Sequence, residues 1–523
     1  MKRICSAAVC AALCAAALLP PFSASAYDAA TYEEYSAQLK QAEASQFPDP
    51  EADYTVVTEG DFEYHIYDEF AVLSECRNTA LTEAVIPAEA GGLPVVGCLD
   101  TPFGFCRSLT AIRLPDCFAH FTWFNLVDTM VTRLGSTEEP MPTVSEVTVS
   151  GSHPLFTVSE GMLFSKDMKT LIGCPPAMEV KALQLPEETD TIGDFAMYAC
   201  MSLETAIVPE HVQHINCSAF AACLNLKRAE LPTSITSLAG ETFSFCRSLT
   251  DVTFRGELKT IGFGAFLQCE ALTDFQIPET VTYIGKAAFD EAGCVEPDGG
   301  LHYVQNWAVG SEEHIERAVI RKGTVGIAEF SFLALSSLTY IEVPASVKYL
   351  GHLCFGASPA GAASVLHFRG SVLPETAISA EKNATDIYLY DPDCMIFDSA
   401  RTIPAEYRYV PDGSADPGSG LIIGETAPVT GDIVIHGYAG SSAEAYAAKY
   451  ERSFSVIEPD GDIDCDGACR LSDAVLLQKW LLACPGTEME NWKACDLDRN
   501  GKLSAADLSL LKRLLIAQGS TEA

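Results

Sequence analysis

The sequence predicts an α+β chain: a curved solenoid of short parallel strands and short helical turns, followed by a small all-α module. Three observations predict this architecture. At 523 residues the chain is too long for one ordinary core. A unit of 23 residues recurs through its middle, and two acidic loops of matching spacing recur near its C-terminal end.

The first residues have the pattern of an export signal. Lys2 and Arg3 precede an apolar run over residues 4–19, and Ala24-Ser25-Ala26 fits a small-x-small cleavage site. The run is shorter than the roughly 20 residues that span a bilayer, so a membrane anchor is disfavoured. We therefore expect residues 1–26 to be removed as a signal peptide, and a secreted, extracellular chain without membrane insertion to begin at Tyr27.

The charge of the chain restricts its partners. The 33 basic residues face 71 acidic ones, and removal of Lys2 and Arg3 leaves a net charge of about −40. Such a field repels phosphate backbones and anionic membranes, so nucleic-acid binding is excluded. It suits a solvated extracellular surface and the capture of cations.

The repeat is visible as columns of residues at an interval of 23. Several columns in one register indicate a stacked array rather than chance. The columns are Met197, Phe220, Phe243, Phe266 and Phe289; Cys200, Cys223, Cys246 and Cys269; Leu203, Leu226, Leu249 and Leu272; Pro186, Pro209, Pro232 and Pro278; and Ile192, Ile215, Leu238, Ile261 and Ile284. The array resumes at Phe332, Leu335, Leu338, Val343, Pro344, Val347, Leu350 and Phe355.

Each unit reads as one coil of a solenoid. Apolar residues alternate after the Leu, as at Val252 and Phe254 or Phe275 and Ile277, which predicts a strand that the following Pro ends. The Phe-x-x-Cys-x-x-Leu half has three-residue spacing and predicts a short helical turn. One coil cannot cover its own apolar face, so stacked coils must bury a continuous core.

The cysteines are interpreted mainly as buried thiols. Loss of Cys5, Cys10 and Cys14 with the signal leaves 17, an odd number, so at least one is unpaired in a monomer. The Cys column should lie inside as a ladder of small apolar side chains. Disulfides between adjacent coils and a metal site are the alternatives.

This pattern resembles the BspA-type leucine-rich repeats of bacterial surface and secreted proteins, over residues 62–355 with degenerate ends. Residues 93–115 resemble the opening unit of that family, residues 156–164 a common insertion, and residues 386–454 the closing segment. We interpret residues 119–147, where the register is lost, as a loop insertion. In the closing segment Ser442 is expected to cap a helix over residues 443–449. The resemblance implies a leucine-rich-repeat solenoid over residues 27–457.

The outward face of the predicted strands is a candidate ligand surface, because solenoids commonly bind through their sheet. A merely solvated face is the alternative, and no identical polar residue recurs there. The outward residues are Thr205 and Ile207, Arg228 and Glu230, Asp251 and Thr253, Asp274 and Gln276, and Tyr340 and Glu342.

Two loops near the C-terminal end have the donor spacing of a calcium loop. Oxygen donors stand at positions 1, 3, 5 and 12, position 7 offers a backbone carbonyl, and Gly467 or Gly501 at position 6 permits the sharp turn. The candidate ligands are Asp462, Asp464, Asp466, Ala468 and Asp473 in the first loop, and Asp496, Asp498, Asn500, Lys502 and Asp507 in the second. The two matches lie 34 residues apart, and each is followed by Leu-rich helical spacing. They predict two bound Ca²⁺ ions.

The Asp at position 12 and the absence of a leading helix, together with the Leu-rich runs at 476–482 and 510–515, resemble a type I dockerin over residues 461–518. We place this module at residues 458–520. The resemblance implies binding to cohesin modules on scaffolding proteins of cellulosomes, with either half making the contact. The family's contact positions fall on Leu471, Ser472, Gln478 and Lys479 in one half, and on Ala505, Ala506, Lys512 and Arg513 in the other.

The loops depart from that family in a few places. Arg470 stands at position 9, where it weakens the first site unless it points into solvent. Cys469 replaces an aliphatic residue at position 8. Cys465 and Cys495 flank related parts of the two loops, so a disulfide between them is one alternative and a zinc site another, although the spacings match no common zinc pattern. Free thiols are the default interpretation.

Two functions remain open at the level of sequence. The first is a non-catalytic binding or adhesion protein, whose solenoid takes an unknown protein or carbohydrate and whose dockerin attaches it to a scaffold. The second is a cellulosomal hydrolase of polysaccharide or peptide with its active site in a solenoid insertion. The common hydrolase, nucleotide-binding and metalloprotease motifs are absent from the sequence, which favours the first. A carboxylate pair would nevertheless suffice for a glycosidase.

Overall fold

The computed structural model describes residues 52–99, 101–128, 143–312, 314–332, 337–355, 364–375, 377–378, 384–403, 433–464, 468–487, 489 and 491–519. The predicted signal peptide and its cleavage site lie outside these residues. The chain forms two compact units, one ending at Glu296 and the other beginning at Pro297. Each unit is mostly short strands in parallel β-solenoid coils, with a few short helices, as the sequence predicts.

The first unit opens with an antiparallel meander and continues as parallel coils. Its longer ladder, β13-β15-β17, carries the outward face, and two-residue strands form a second ladder. The strands are β1 (Thr55–Glu59), β2 (Phe62–Ile66), β3 (Ala71–Cys76), β4 (Glu83–Val85), β5 (Glu89–Ala90), β6 (Leu93–Cys98), β7 (Ala111–Leu114), β8 (Glu146–Val149), β9 (Phe156–Ser159), β10 (Met162–Ser165), β11 (Thr170–Gly173), β12 (Thr191–Ile192), β13 (Thr205–Ile207), β14 (His214–Ile215), β15 (Arg228–Leu231), β16 (Ser237–Leu238), β17 (Asp251–Phe254), β18 (Thr260–Ile261) and β19 (Tyr283–Ile284).

The second unit contains a six-stranded parallel sheet, ordered β23-β25-β27-β29-β31-β32. Its last strands come from the predicted closing segment, which therefore extends the sheet. The strands are β20 (Glu296–Asp298), β21 (Leu301–Val304), β22 (Trp307–Ser311), β23 (Arg317–Val319), β24 (Gly326–Ile327), β25 (Tyr340–Val343), β26 (Tyr349–Leu350), β27 (Ser364–Phe368), β28 (Val372–Leu373), β29 (Ala384–Leu389), β30 (Met395–Ile396), β31 (Val434–Gly437) and β32 (Ser453–Val456).

The helices are few. No helix in the described part of the chain is both long and apolar enough to cross a membrane. The helices are α1 (Trp123–Val127), α2 (Ser442–Lys449), α3 (Leu471–Leu481) and α4 (Ala505–Gly519), with a 3-10 helix at Trp492–Cys495.

The Phe column forms the centre of the first unit. The rings of Phe220, Phe243, Phe266 and Phe289 are fully buried and stack in sequence, with centroids 5.5, 5.8 and 5.4 Å apart and ring planes within 19° of parallel. Burial of an aromatic side chain, together with its offset ring contacts, is among the largest stabilising contributions that one residue makes. The ladder therefore joins four consecutive coils.

The Cys column lies inside, as predicted, and it also makes hydrogen bonds. Each thiol donates to a backbone carbonyl of the preceding coil: Cys223 to Met197, Cys246 to Phe220 and Cys269 to Phe243, at 3.0–3.1 Å. Cysteine is small enough for this position, and its S–H gives a second hydrogen bond to a carbonyl that already closes the turn of its own coil. Disulfides are absent among the described cysteines.

The Phe-x-x-Cys-x-x-Leu half folds into two successive tight turns. The N–H of Cys223 bonds to the carbonyl of Phe220, and the N–H of Leu226 to that of Cys223, so each three-residue step closes one turn. Ala222 has φ of +58°, which stops the turns from continuing as a helix. Its N–H instead bonds to the carbonyl of Ser244 in the next coil.

Three local expectations change. Ser441, not Ser442, caps α2, because the Ser441 hydroxyl accepts from the N–H of Glu444 while Ser442 is already helical. The insertion expected over residues 119–147 is narrower: it contains α1, and by Glu146 the chain has rejoined β7 as β8. Residues 129–142, its centre, lie outside the described residues.

The third change concerns residues 274–276, which form no strand. The N–H of Thr273 bonds to the carbonyl of Ala271 in a tight turn, so it is not available to pair with a neighbouring strand.

The insertion at residues 156–164 is the β9–β10 antiparallel hairpin.

Replacement of Phe243 by Ala should lower the free energy of unfolding by about 3–5 kcal/mol, because it leaves a cavity inside the ring ladder. Phe105 is 61% exposed, so Phe105→Ala removes the same side chain at the surface and should change stability by less than about 0.5 kcal/mol. Chemical denaturation followed by circular dichroism measures both. Equal effects of the two changes would contradict the ladder.

The ladder thiols should resist alkylation in the native protein. Burial raises the pKa of the Cys223 thiol to about 12 and that of Cys246 well above its usual value, so neither forms the reactive thiolate at mildly alkaline pH. Iodoacetamide labelling and peptide mass spectrometry should find both unmodified until the chain is denatured. The half-buried Cys484 is the internal control and should react first. Disulfide-linked ladder peptides would contradict this account.

Candidate calcium sites and docking helices

The first acidic loop converges on the fully buried carboxylate of Asp473. One of its oxygens accepts the N–H groups of Ile463 and Asp464, at 2.8 and 3.2 Å, and the other accepts that of Arg470, at 2.7 Å. These bonds close the loop onto the start of α3. Carboxylate oxygens of Asp462, Asp464 and Asp473 lie within 4.8 Å of one another. Asp466 and Gly467 lie outside the described residues, and Ala468 is half-buried.

The second loop repeats this geometry. The fully buried Asp507 accepts the N–H of Asp498 at 3.3 Å and that of Ser504 at 2.9 Å, and Asp496, Asp498 and Asp507 bring carboxylate oxygens within 4.8 Å. Gly501 adopts φ of +78° and donates its N–H to Asp496. Two further predicted ligands, Asn500 and Lys502, are exposed on the loop, where the Asn500 side chain accepts the N–H of Lys502.

The burial of these carboxylates indicates a cation. Asp473 and Asp507 are fully buried, and Asp462 and Asp496 are only 6% and 4% exposed. Burial of an ionised carboxylate costs several kcal/mol unless a positive charge or hydrogen bonds offset it. Asp496 Oδ1 is buried without a hydrogen-bond partner. Each loop supplies only oxygen donors, and these fit Ca²⁺.

The departures from the calcium-loop pattern do not separate the described donor carboxylates of either loop. The side chain of Arg470 is exposed, and its N–H contributes to the bonds around Asp473. Cys495 is a buried free thiol that contacts the carbonyl of Gly461 at 3.9 Å, while Cys465 lies outside the described residues. The 3-10 helix at Trp492–Cys495 leads directly into the second loop, a short leading element that the sequence did not predict.

Each loop is followed by a helix that presents the predicted partner contacts to solvent. All eight predicted contact residues are exposed: Leu471, Ser472, Gln478 and Lys479 on or beside α3, and Ala505, Ala506, Lys512 and Arg513 on α4. The buried faces pack together through Ala474, Leu477 and Leu511. The helices therefore share one small core and leave their outer faces open.

The outer faces of the two helices differ in chemistry. Leu471, Val475 and Leu482 are 73%, 44% and 68% exposed, and with Gln478 they follow the spacing i, i+4, i+7 and i+11 along one side of α3. We call these four residues the α3 stripe. The residues 34 positions later are Ala505, Ser509, Lys512 and Ile516, of which only Ile516 is a large exposed apolar side chain. Sequence reasoning missed Val475 and Leu482, although their spacing was visible.

The calcium-loop module contacts the closing segment of the second unit. The side-chain amide of Asn491 donates to the hydroxyl of Tyr438 at 2.9 Å, with both groups buried. Lys322 donates to the backbone carbonyl of Asp464 in the first loop. These contacts orient the module, and nothing in the sequence pattern pointed to them.

On the predicted outward sheet face of the first unit, charged side chains form ion pairs with one another. Arg228 pairs with Glu230 at 2.5 Å and Asp251 at 3.3 Å, and Arg255 joins Glu230 to Glu210. Thr205 is half-buried, whereas Ile207, Thr253, Asp274 and Gln276 are exposed. Charges that already have partners offer a ligand little, so this part of the face is a weak candidate for binding.

Family comparisons agree with this division of the chain. A model described as "BspA type Leucine rich repeat region" matches residues 177–296 and 297–367, with six copies. A model described as "Dockerin type I domain" matches residues 460–516. The chain thus carries BspA-type leucine-rich repeats and a C-terminal type I dockerin domain. Such domains are typical of extracellular bacterial proteins, and type I dockerins generally bind calcium and pair with cohesins.

Solved structures with similar chains are leucine-rich repeat proteins. A leucine rich cell surface protein from Faecalibacterium prausnitzii is 22% identical, with 64% of this chain and 85% of that chain covered and a TM-score of 0.26. A leucine-rich repeat protein from Bacteroides ovatus is 18% identical, with coverages of 62% and 72% and a TM-score of 0.30. No curated protein matches the chain. The repeat assignment therefore rests on the family match and on the coils themselves.

Calcium should stabilise the loop module and leave the repeat coils unchanged. Saturating free Ca²⁺ should add about 3–4 kcal/mol to the module's stability, since ions that bind only the folded state shift unfolding by mass action. Scanning calorimetry with calcium or chelator measures the effect. Asp498→Ala removes an exposed donor of the second loop and should reduce the gain, whereas Asp393→Ala, an exposed acid elsewhere, should not. An unfolding profile identical in calcium and chelator would contradict the site.

Proposed function

We propose that this chain is a secreted, non-catalytic binding protein that its C-terminal module attaches to a cohesin-bearing scaffold in a calcium-dependent way. The repeat solenoid presents a sheet face to a target outside the cell. The leucine-rich repeat fold fits a binding role, and the stacked Phe rings and hydrogen-bonded Cys thiols serve to hold its coils together. The alternative of a hydrolase in the insertion at 119–147 falls largely on residues 129–142, outside the described residues.

Two calcium ions organise the attachment module in this proposal. The first is held by Asp462, Asp464, Asp466, the carbonyl of Ala468, and Asp473. The second is held by Asp496, Asp498, Asn500, the carbonyl of Lys502, and Asp507. Each ion offsets carboxylates that are buried at the start of a helix, so its binding fixes the orientation of α3 or α4.

The α3 stripe is the observation that carries the docking proposal. Leu471, Val475 and Leu482 expose large apolar side chains on one side of α3, and burial of a Leu or Val side chain contributes about 1.5–3 kcal/mol. Small soluble modules seldom leave such a surface open without a partner. Docking a cohesin there buries apolar area against α3, with Gln478 within the stripe and Lys479 beside it as polar contacts.

The second helix, α4, exposes fewer large apolar side chains to a cohesin than α3 does. Ala505 and Ser509 stand where Leu471 and Val475 stand on α3, and Lys512 and Arg513 add positive charge. We therefore propose that the first half of the module makes the docking contact. Because the two loop–helix halves are nearly symmetric, each position of the α3 stripe has a matched control position on α4.

The double change Leu471→Arg and Val475→Arg should weaken docking by roughly tenfold or more, because charges then replace apolar side chains in the contact. The matched double change Ala505→Arg and Ser509→Arg should leave docking unchanged. The full-length protein is titrated by calorimetry against a panel of cohesin modules in calcium, and again after chelation.

The outcomes are distinct. Loss of docking only with the α3 variant, together with loss after chelation, supports the proposal. Loss only with the α4 variant would assign docking to the other half. No binding to any cohesin, with the module folded and calcium-loaded, would overturn the attachment function.

A further inference from the structure

A row of ring side chains crosses the six-stranded sheet of the second unit on its outward face. We call Tyr340, His367, Tyr388, Tyr390 and His436 the ring row. His367 and Tyr388 stack with centroids 4.6 Å apart, and Tyr388 and His436 with centroids 4.0 Å apart, each pair within 8° of parallel. Tyr340 lies 4.9 Å from His367. His367, Tyr388 and His436 lie in register on β27, β29 and β31, while Tyr340 contacts His367 diagonally from β25, where Glu342 is the residue in register.

The ring row presents edges to solvent, because neighbouring rings cover one another's faces. The inward residues between these positions, Ile341, Leu366, Ile387 and Ile435, are at most 4% exposed, so the rings belong to the opposite face of the sheet. Polar atoms occupy the ring edges. Tyr390 Oη lies 2.7 Å from His367 Nδ1, and His436 Nε2 lies 2.8 Å from an Asp386 oxygen.

The charges along the row are balanced. Arg317 lies over the ring of Tyr340 at 3.7 Å and Arg369 over that of Tyr390 at 4.1 Å, while Glu342 and Asp386 provide two carboxylates. Arg369 also bonds to Glu342 at 3.3 Å, and the Tyr340 hydroxyl donates to Glu342 at 2.8 Å. Burial lowers the pKa of His367, so its ring is uncharged at neutral pH. In a chain of net charge −38, this is a locally neutral surface and does not select a charged ligand.

The spacing of the row fits a polymer whose units repeat at the strand separation. Neighbouring strands lie about 4.8 Å apart, so successive ring edges offer hydrogen-bonding groups at that interval. A sugar unit in an extended chain has about this length and carries hydroxyl groups on both edges. Because stacking and hydrogen bonds already hold the rings, binding costs little side-chain entropy.

From this geometry we propose that the ring row binds an extended, uncharged polysaccharide that runs across the strands of the sheet. The inference rests on the proposed function, in which the solenoid displays a target-binding face, and it names the chemical class of that target. The polymer lies along His367, Tyr388 and His436, with Glu342 and Asp386 accepting hydrogen bonds from its hydroxyls.

A protein partner fits the row less well. Binding hot spots on proteins are side chains that insert into a pocket of the partner. Here the rings stand edge-on and half-buried, and Val319, the exposed apolar residue of the same row, lies at its margin opposite Glu342. A row that binds a protein instead would give no retardation in any polysaccharide gel.

The test is affinity electrophoresis of the full-length protein through gels that contain hydroxyethylcellulose, xylan or galactomannan, with polygalacturonate as the anionic comparison. The ring-row variants are Tyr388→Ala, His436→Ala and the conservative Tyr388→Phe, which keeps the stack. The matched control is Thr253→Ala, an exposed outward position on the sheet of the first unit. Each gel is run in calcium and in chelator, and each variant's melting curve is recorded.

We expect at least one neutral polysaccharide to retard the protein. Tyr388→Ala should weaken this binding roughly tenfold, and Thr253→Ala should leave it unchanged. Tyr388→Phe should weaken it only a few-fold, through loss of one hydroxyl. Retardation should persist in chelator, which separates this result from the calcium-dependent docking. The proposal is overturned by three outcomes: no retardation in any neutral gel, retardation by polygalacturonate alone, or retardation by a neutral polysaccharide that Tyr388→Ala leaves unchanged.

Discussion

The structure depends on one constraint: every coil must give its backbone groups and its apolar side chains to the next coil in strict register. A single coil would leave the Phe243 ring exposed and the Cys246 thiol without its acceptor, the Phe220 carbonyl of the preceding coil. Stacking supplies both, because each strand pairs with the strand one repeat away and each turn bonds to the next. Side chains of equivalent position are thereby placed in rows at the strand spacing, on the inside and on the outside alike.

That same register gives the two outward faces different chemistry. In the first unit the outward positions hold arginines and acids that satisfy one another, as around Glu230. In the second unit they hold rings that stack across strands. The dockerin domain follows a different rule: its core is small, and it buries carboxylates such as Asp473 and Asp507, which a bound cation would offset. In the proposed function, target binding and attachment therefore depend on separate physical interactions within one chain.

Much of the fold could be predicted from the sequence, because the 23-residue columns report buried positions directly. The same holds for the loop carboxylates, whose spacing is fixed by the geometry of wrapping an ion. The ring row escaped prediction because His367, Tyr388 and His436 lie beyond the regular columns and meet only through strand pairing. The bond from Asn491 to Tyr438 joins residues 53 apart. The helix cap at Ser441 was missed because a sequence pattern does not distinguish Ser441 from the adjacent Ser442.

The most direct test of this account is hydrogen–deuterium exchange on the full-length protein with a docked cohesin, in calcium. The account predicts new protection over residues 471–482, none over 505–516, and none over the six-stranded sheet, with protection lost on chelation. Equal protection of both helices would contradict single-sided docking. Protection that survives chelation would contradict the dependence of the module on calcium.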